Sequence, residues 1–284
     1  FQEEIPNEFC KAPFEELKKL GIICHFGRWI SEGNPFVILI DFVNYRYRIN
    51  DIKRELWDWY KIDSLRAPPD YDEPVTWSYA AGMLIEKLSS CLNDKKIVAH
   101  FHEWLSGTGL LYLKKKNAKA ATVFTTHATI LGRTLASSNV DIYNVWNKIN
   151  PDNEVYKYSI EAKHLVEKNS AAFADVFTTV SEITGMEAEH LLKKKPDLLL
   201  PNGLDISKFP TFEEIAIKHR LQRDRIREFM LYYFFPYYTF DPKETLIYFI
   251  AGRYEFHDKG IDIYIKALGR LNEKLRQLKS KTTV

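Results

Sequence analysis

Short runs of β-branched and aromatic residues recur along this chain, each followed by a longer stretch in which apolar side chains return at three- and four-residue steps. Runs at 97–101, 122–126, 176–180 and 198–200 predict four strands. Stretches at 107–116, 154–174 and 182–195 predict the helices between them. Alternation of this kind implies an α/β fold with a Rossmann-like parallel sheet flanked by helices, because parallel neighbours need a crossover connection. Ligands of such sheets sit beyond the carboxyl ends of the strands. The residues that close each run are therefore the first candidates for chemistry.

A further strand is expected at 37–42, after a turn through Glu32-Gly33-Asn34-Pro35, and helices at 51–60 and 77–90 around the loop Ala67-Pro68-Pro69-Asp70. Trp57, Trp59, Tyr71 and Trp77 gather at that loop, where core packing is favoured over a sugar-stacking platform. Past Asn202-Gly203 the pattern changes. A highly charged helical stretch at 212–227 leads into the aromatic cluster 232–238, then an apolar run at 245–251 read as a strand, then an amphipathic helix from Ile261. We expect a domain boundary near Thr211. Residues 1–210 would form the Rossmann-like domain; 211–284 is too small for an independent sheet domain and reads as the truncated start of a second one. The first residue, Phe1, and a strand-like opening at 281–284 are what a piece of a longer chain would show.

Composition narrows the function classes. The 284 residues are 45% hydrophobic and 14% aromatic, ample for a sizeable core. Forty basic residues against 38 acidic ones give a formal charge of +2, which argues against a dedicated nucleic-acid or membrane-surface protein. Lys114-Lys115-Lys116 and Lys193-Lys194-Lys195 end helical patterns, where they complement the helix dipole. Cys10, Cys24 and Cys91 form no Cys-x-x-Cys pair and fit a reducing compartment. The apolar runs are too short to span a bilayer, so a soluble, cytoplasmic protein is expected.

Candidate chemistry collects at four places. Gly252-Arg253-Tyr254-Glu255-Phe256-His257-Asp258-Lys259-Gly260 delivers two fixed cations, Arg253 and Lys259, into a loop before a helix N-terminus, an arrangement suited to a diphosphate. His127, in Thr125-Thr126-His127-Ala128-Thr129, follows the 122–126 run, and Arg133 comes six residues later behind Gly132. Phe101-His102-Glu103-Trp104 closes the 97–101 run, and Pro201-Asn202-Gly203-Leu204-Asp205 follows the last. Each has a plainer reading: a lone strand-end histidine is more often structural, Arg and Lys in a surface loop are more often solvated charges, an ion pair with a nearby carboxylate is an equal alternative for Arg133, and Asn-Gly is a common turn. His100 and His102, two apart on one strand, could with His127 also ligate zinc or iron in a hydrolase. That reading lacks a carboxylate ligand, since Glu103 would point away from His102 if the strand continued.

In this order and spacing the four segments resemble the glycogen synthases of the animal and fungal type, from Phe26-Gly27-Arg28-Trp29 to the last helix. The resemblance implies two Rossmann-like domains facing a cleft and retaining transfer of glucose from UDP-glucose to the non-reducing end of an α-1,4-glucan. UDP-glucose is then a substrate and no cofactor or metal is implied. His127, Glu103, Arg253 and Lys259 take catalytic places; Arg133, Asn202, His102 and Gly203 take donor or substrate-binding places. Glycogen, a homo-oligomeric parent and a priming protein are the implied partners. The family's Lys-x-Gly-Gly loop, and a Glu-x7-Glu motif of its C-terminal half, have no counterpart here, so the implied activity belongs to the full-length parent. Another sugar nucleotide such as ADP-glucose, or a non-catalytic glucan- or partner-binding module, are the alternatives.

Overall fold

The computed structural model describes residues 1–92, 94–280 and 282. The chain forms two compact units, Phe1–Pro201 and Asn202–Val284; the boundary expected near Thr211 falls inside the second.

The first unit opens with β1 (Gln2–Glu3), α1 (Glu8–Lys18), β2 (Ile23–Arg28) and β3 (Phe36–Asp41). These strands form a separate antiparallel sheet in the order β1-β2-β3, with Phe26 opposite Ile38. The run at 37–42 is thus a strand, shifted by one residue, and its partner β2 was not evident in the pattern. Two helices follow, α2 (Ile49–Tyr60) and α3 (Pro69–Cys91). α3 starts earlier than its apolar periodicity suggests because proline at the first helical position has no intrahelical N–H to forfeit.

The second sheet carries the expected α/β pattern. β4 (Val98–His102), α4 (Glu103–Lys116), β5 (Ala121–Thr126), β6 (Val176–Thr179) and β7 (Leu198–Leu199) place four parallel strands in the order β4-β5-β6-β7. Between β5 and β6 run α5 (Ile130–Ser137), α6 (Ile142–Val145), α7 (Pro151–Lys157) and α8 (Glu161–Phe173); α9 (Glu182–Leu191) precedes β7. Phe101, Phe124 and Phe177 come from adjacent strands in register and join Leu110, Leu111 and Val166 of the helices in the main core. α4 packs on α3 almost backbone to backbone. A Cβ on Gly109 would lie 2.5 Å from the Ser78 carbonyl oxygen, and the Gly109 N–H donates to Ser78 Oγ at 2.7 Å. Tyr71 is fully buried and stacks on Trp104, whereas Trp57 and Trp77 remain exposed.

The single helix expected at 154–174 is broken at Ser159, which has φ 55°. Val155 and Ile160 would lie about 140° apart around an uninterrupted helix. The break lets both enter a second cluster with Leu131, Leu135, Ile142, Trp146 and Leu191.

The second unit contains α10 (Phe212–Phe234) and α11 (Ile261–Gln277). α10 continues past the expected 227 into the aromatic cluster, where Phe229 stacks on Tyr233 one turn on. The strand expected at 245–251 does not form. Beyond an isolated bridge at Thr245 the run is irregular, with Leu246 50% and Phe249 82% exposed. A strand exists only with a neighbour to take its backbone hydrogen bonds, and among the described residues this unit has none. The strand opening expected at 281–284 lies outside the described residues except for Thr282. Among the described residues no helix is long and apolar enough to cross a membrane.

Candidate active site

At the carboxyl end of β4 the chain passes from strand to helix without a loop. His102 is the last strand residue, and Glu103 opens α4 with a left-handed φ of 62°. Such a backbone is costly for a side chain other than glycine, of order 1–3 kcal/mol, and persists where surrounding contacts enforce it. Here it re-aims a carboxylate. The expectation that Glu103 would project away from His102 is corrected, because the strand on which it was premised stops one residue earlier. Glu103 Oε1 accepts the His127 backbone N–H at 3.0 Å and lies 3.7 Å from Arg133 Nη2. His102 Nδ1 shares a hydrogen bond with His127 Nε2 at 3.2 Å. Glu103, His102, His127 and Arg133, read from two separate strand ends, therefore form one group.

Behind them His100 lies against His102, with ring centroids 4.1 Å apart, and pairs through Nε2 with Thr125 Oγ1 at 2.7 Å. Burial, and then the neighbouring imidazoles, push His100 and His102 below the usual histidine value. The histidines bond to each other and to a hydroxyl. Among the described residues no cluster of three or more His, Cys, Asp or Glu has an arrangement that could hold a metal ion. Asp70-Tyr71-Asp72 has the spacing of an Asp-x-Asp motif, yet it occupies the first turn of α3, where Lys163 pairs with Asp70 at 2.6 Å and Lys53 with Asp72 at 2.5 Å.

The loop that carries His127 is gripped by carboxylates that the sequence did not single out. Glu167, fully buried on α8, accepts the Thr126 hydroxyl and the Ile130 N–H, each at 2.9 Å. Glu187 of α9 accepts the Thr129 N–H at 3.0 Å and the Thr129 hydroxyl through the same oxygen. Gly132 permits this approach: a Cβ there would stand 2.1 Å from Glu187 Oε1. Its missing side chain thus makes room for a protein carboxylate. The signal available in sequence was a glutamate at 167 on the apolar face of α8, beside Val166, Ser170 and Ala171.

Burial pushes Glu167 up to about 8, with Glu103 and Glu187 acting in the same direction and its two hydrogen bonds opposing. Glu187 is raised as well, chiefly by burial. His164, wholly enclosed on α8, is pushed by burial down to about 4. These shifts give opposite pH dependences. The unfolded chain loses the Glu167 proton near 4.5 while the folded chain keeps it, so that contribution is fully present below about pH 4.5 and is lost as the pH rises through 8. The His164 contribution is present above 6.5, where the unfolded chain is neutral, and is lost as the pH falls through 4. Urea midpoints of this chain are therefore expected to peak between these limits. Glu167→Gln should flatten the alkaline limb; a limb unchanged by that substitution would assign it to another group.

The remaining candidates belong to the second unit. Asn202 and Gly203 are exposed and follow shortly after β7. Arg253 Nη2 lies 3.1 Å from Glu255 Oε1, and Lys259 Nζ lies 3.7 Å from Glu255 Oε2. Gly260, with φ 66°, then turns the chain into α11. Two cations thus share one carboxylate immediately before a helix N-terminus.

The glycogen synthase family matches residues 2–284. The chain is 40% identical over 281 residues to a glycogen [starch] synthase of Neurospora crassa, covering 99% of this chain and 40% of that protein. It is 38% identical over 283 residues to the liver glycogen [starch] synthase of Mus musculus, again 40% of that protein. With isoform 2 of Saccharomyces cerevisiae the identity is 41% over 271 residues, 95% of this chain and 38% of the relative. The chain thus spans about two fifths of the length of the curated relatives it matches. The match over residues 2–284 and the strand-end motifs agree: this chain belongs to the glycogen synthase family.

Proposed function

We propose that the full-length protein transfers glucose from UDP-glucose to the non-reducing end of an α-1,4-glucan with retention, in the cytoplasm, as a homo-oligomer, with a priming protein as a further partner. The observation that carries this reading is the group of Glu103, His102, His127 and Arg133 at the carboxyl ends of two adjacent parallel strands, in a chain whose relatives are named glycogen [starch] synthase. Transfer must expel a diphosphate while positive charge develops on the sugar. Arg253, Lys259 and Arg133 are cationic side chains that suit the leaving diphosphate. Each already rests on a carboxylate, Glu255 or Glu103, which holds the cation in place until phosphate oxygens compete for it. His127 takes the glucose ring, with Glu103 fixing its backbone and His102 its imidazole. Asn202, with Gly203 beside it, contributes an amide to the substrate.

The test is an assay of the full-length protein with radiolabelled UDP-glucose and glycogen. Incorporation into chains that β-amylase removes is expected, since that enzyme cleaves only α-1,4 ends. The 284-residue chain alone should incorporate little. Full-length protein that binds glycogen yet transfers nothing would favour a binding module; efficient transfer by this chain alone would refute the need for further donor-site groups.

A further inference from the structure

We infer that Glu167 is a positioning residue for His127: by tying Thr126 to Ile130 from beneath, it sets the position of the loop between them and hence the placement of the imidazole at the sugar. The inference rests on the assignment of His127 to the glucose ring. The loop is five residues from Thr126 to Ile130, and Glu167 holds both ends, through the Thr126 hydroxyl and the Ile130 N–H. Between those ends Glu103 takes the N–H of His127 and Glu187 takes that of Thr129. Three carboxylates from the separate helices α4, α8 and α9 thus accept three backbone N–H groups in or next to the loop. Of the three only Glu167 is fully buried.

This differs from ordinary helix capping. The N-terminus of α5 already has a cap, because Thr129 Oγ1 accepts the Gly132 N–H at 3.0 Å. Burying a carboxylate costs free energy unless its hydrogen bonds are made. Both oxygens of Glu167 are used, and both on this loop. Its displacement to about 8 means that at neutral pH the group is mainly the neutral acid. In that form one oxygen still accepts from Ile130, while the bond to Thr126 is reversed: the protonated oxygen donates to Thr126 Oγ1, where the carboxylate would accept from its hydroxyl. A glutamine reproduces this pattern, with its carbonyl toward Ile130 and its amide toward Thr126 Oγ1. Alanine removes both holds and leaves the Ile130 N–H without its acceptor.

The experiment is steady-state kinetics of the full-length protein with UDP-glucose and glycogen, comparing wild type, Glu167→Ala, Glu167→Gln, His127→Ala and the Glu167→Ala/His127→Ala double variant. A small misplacement of a group that must meet the sugar costs turnover, so Glu167→Ala is expected to lower kcat roughly 10- to 100-fold with less than about a threefold change in donor KM. Glu167→Gln should recover most of that loss. The double variant should be no worse than His127→Ala alone, because a residue that acts only through His127 has nothing left to position. Wild-type turnover in Glu167→Ala, or losses that multiply in the double variant, would overturn the inference. If Glu167→Ala fails to fold, Thr126→Val carries the test: it keeps the strand side chain and deletes one hold, and it should lower kcat severalfold only while His127 is present. Unchanged turnover in Thr126→Val would then overturn it. Full activity in His127→Ala would instead refute the sugar assignment itself, whereas loss there with none in Glu167→Ala would leave that assignment standing and remove only the positioning role.

Discussion

Arg253→Ala in the full-length protein is expected to lower turnover on the order of 100-fold or more, with a much smaller change in donor affinity. A cation that meets a leaving diphosphate gains interaction as the bond to the sugar breaks, so its removal raises the barrier more than it weakens the ground state. A factor of 100 corresponds to about 2.7 kcal/mol. Arg253 and Lys259 straddle Glu255, at 3.1 and 3.7 Å, so the carboxylate holds the two cations together in the free protein. Removing either leaves the other paired to Glu255 with no excess charge, so Lys259→Ala should approach the Arg253→Ala loss. Initial rates at saturating UDP-glucose, set beside equilibrium binding of UDP, decide the matter. Unchanged turnover in Arg253→Ala would remove its phosphate role.

His127→Ala should also abolish most transfer while UDP binding stays close to wild type, because the imidazole is assigned to the sugar and not to the nucleotide. Only its side chain is deleted. The His127 N–H can still donate to Glu103, so the Glu103–Arg133 pairing survives. The His102 imidazole loses its partner at 3.2 Å, and the loop keeps its three carboxylate holds. Calorimetric titration with UDP alongside the glycogen assay separates the two effects. A fall in UDP affinity as large as the fall in turnover would move His127 to the nucleotide.

Much of the frame of the candidate site was legible because it depends on neighbours in sequence. The strands β4, β5 and β6 arise from short β-branched runs, and each run hands its next residues to the carboxyl edge of the sheet, where His102, Glu103 and His127 stand. The Arg253–Lys259 loop was likewise set by spacing alone, with an amphipathic helix beginning just after it. What the local pattern could not decide was anything that needs a distant partner. The 245–251 run has the composition of a strand but no strand beside it, and residues 154–174 have the period of one helix but pack better as two. The turn at Glu103 depends on what its carboxylate finds 24 residues on. Glu167 and Glu187 reach the His127 loop from 41 and 58 residues away. No periodicity encodes such a meeting; it exists because the crossover helices bring these side chains under one loop, where buried N–H groups must find acceptors.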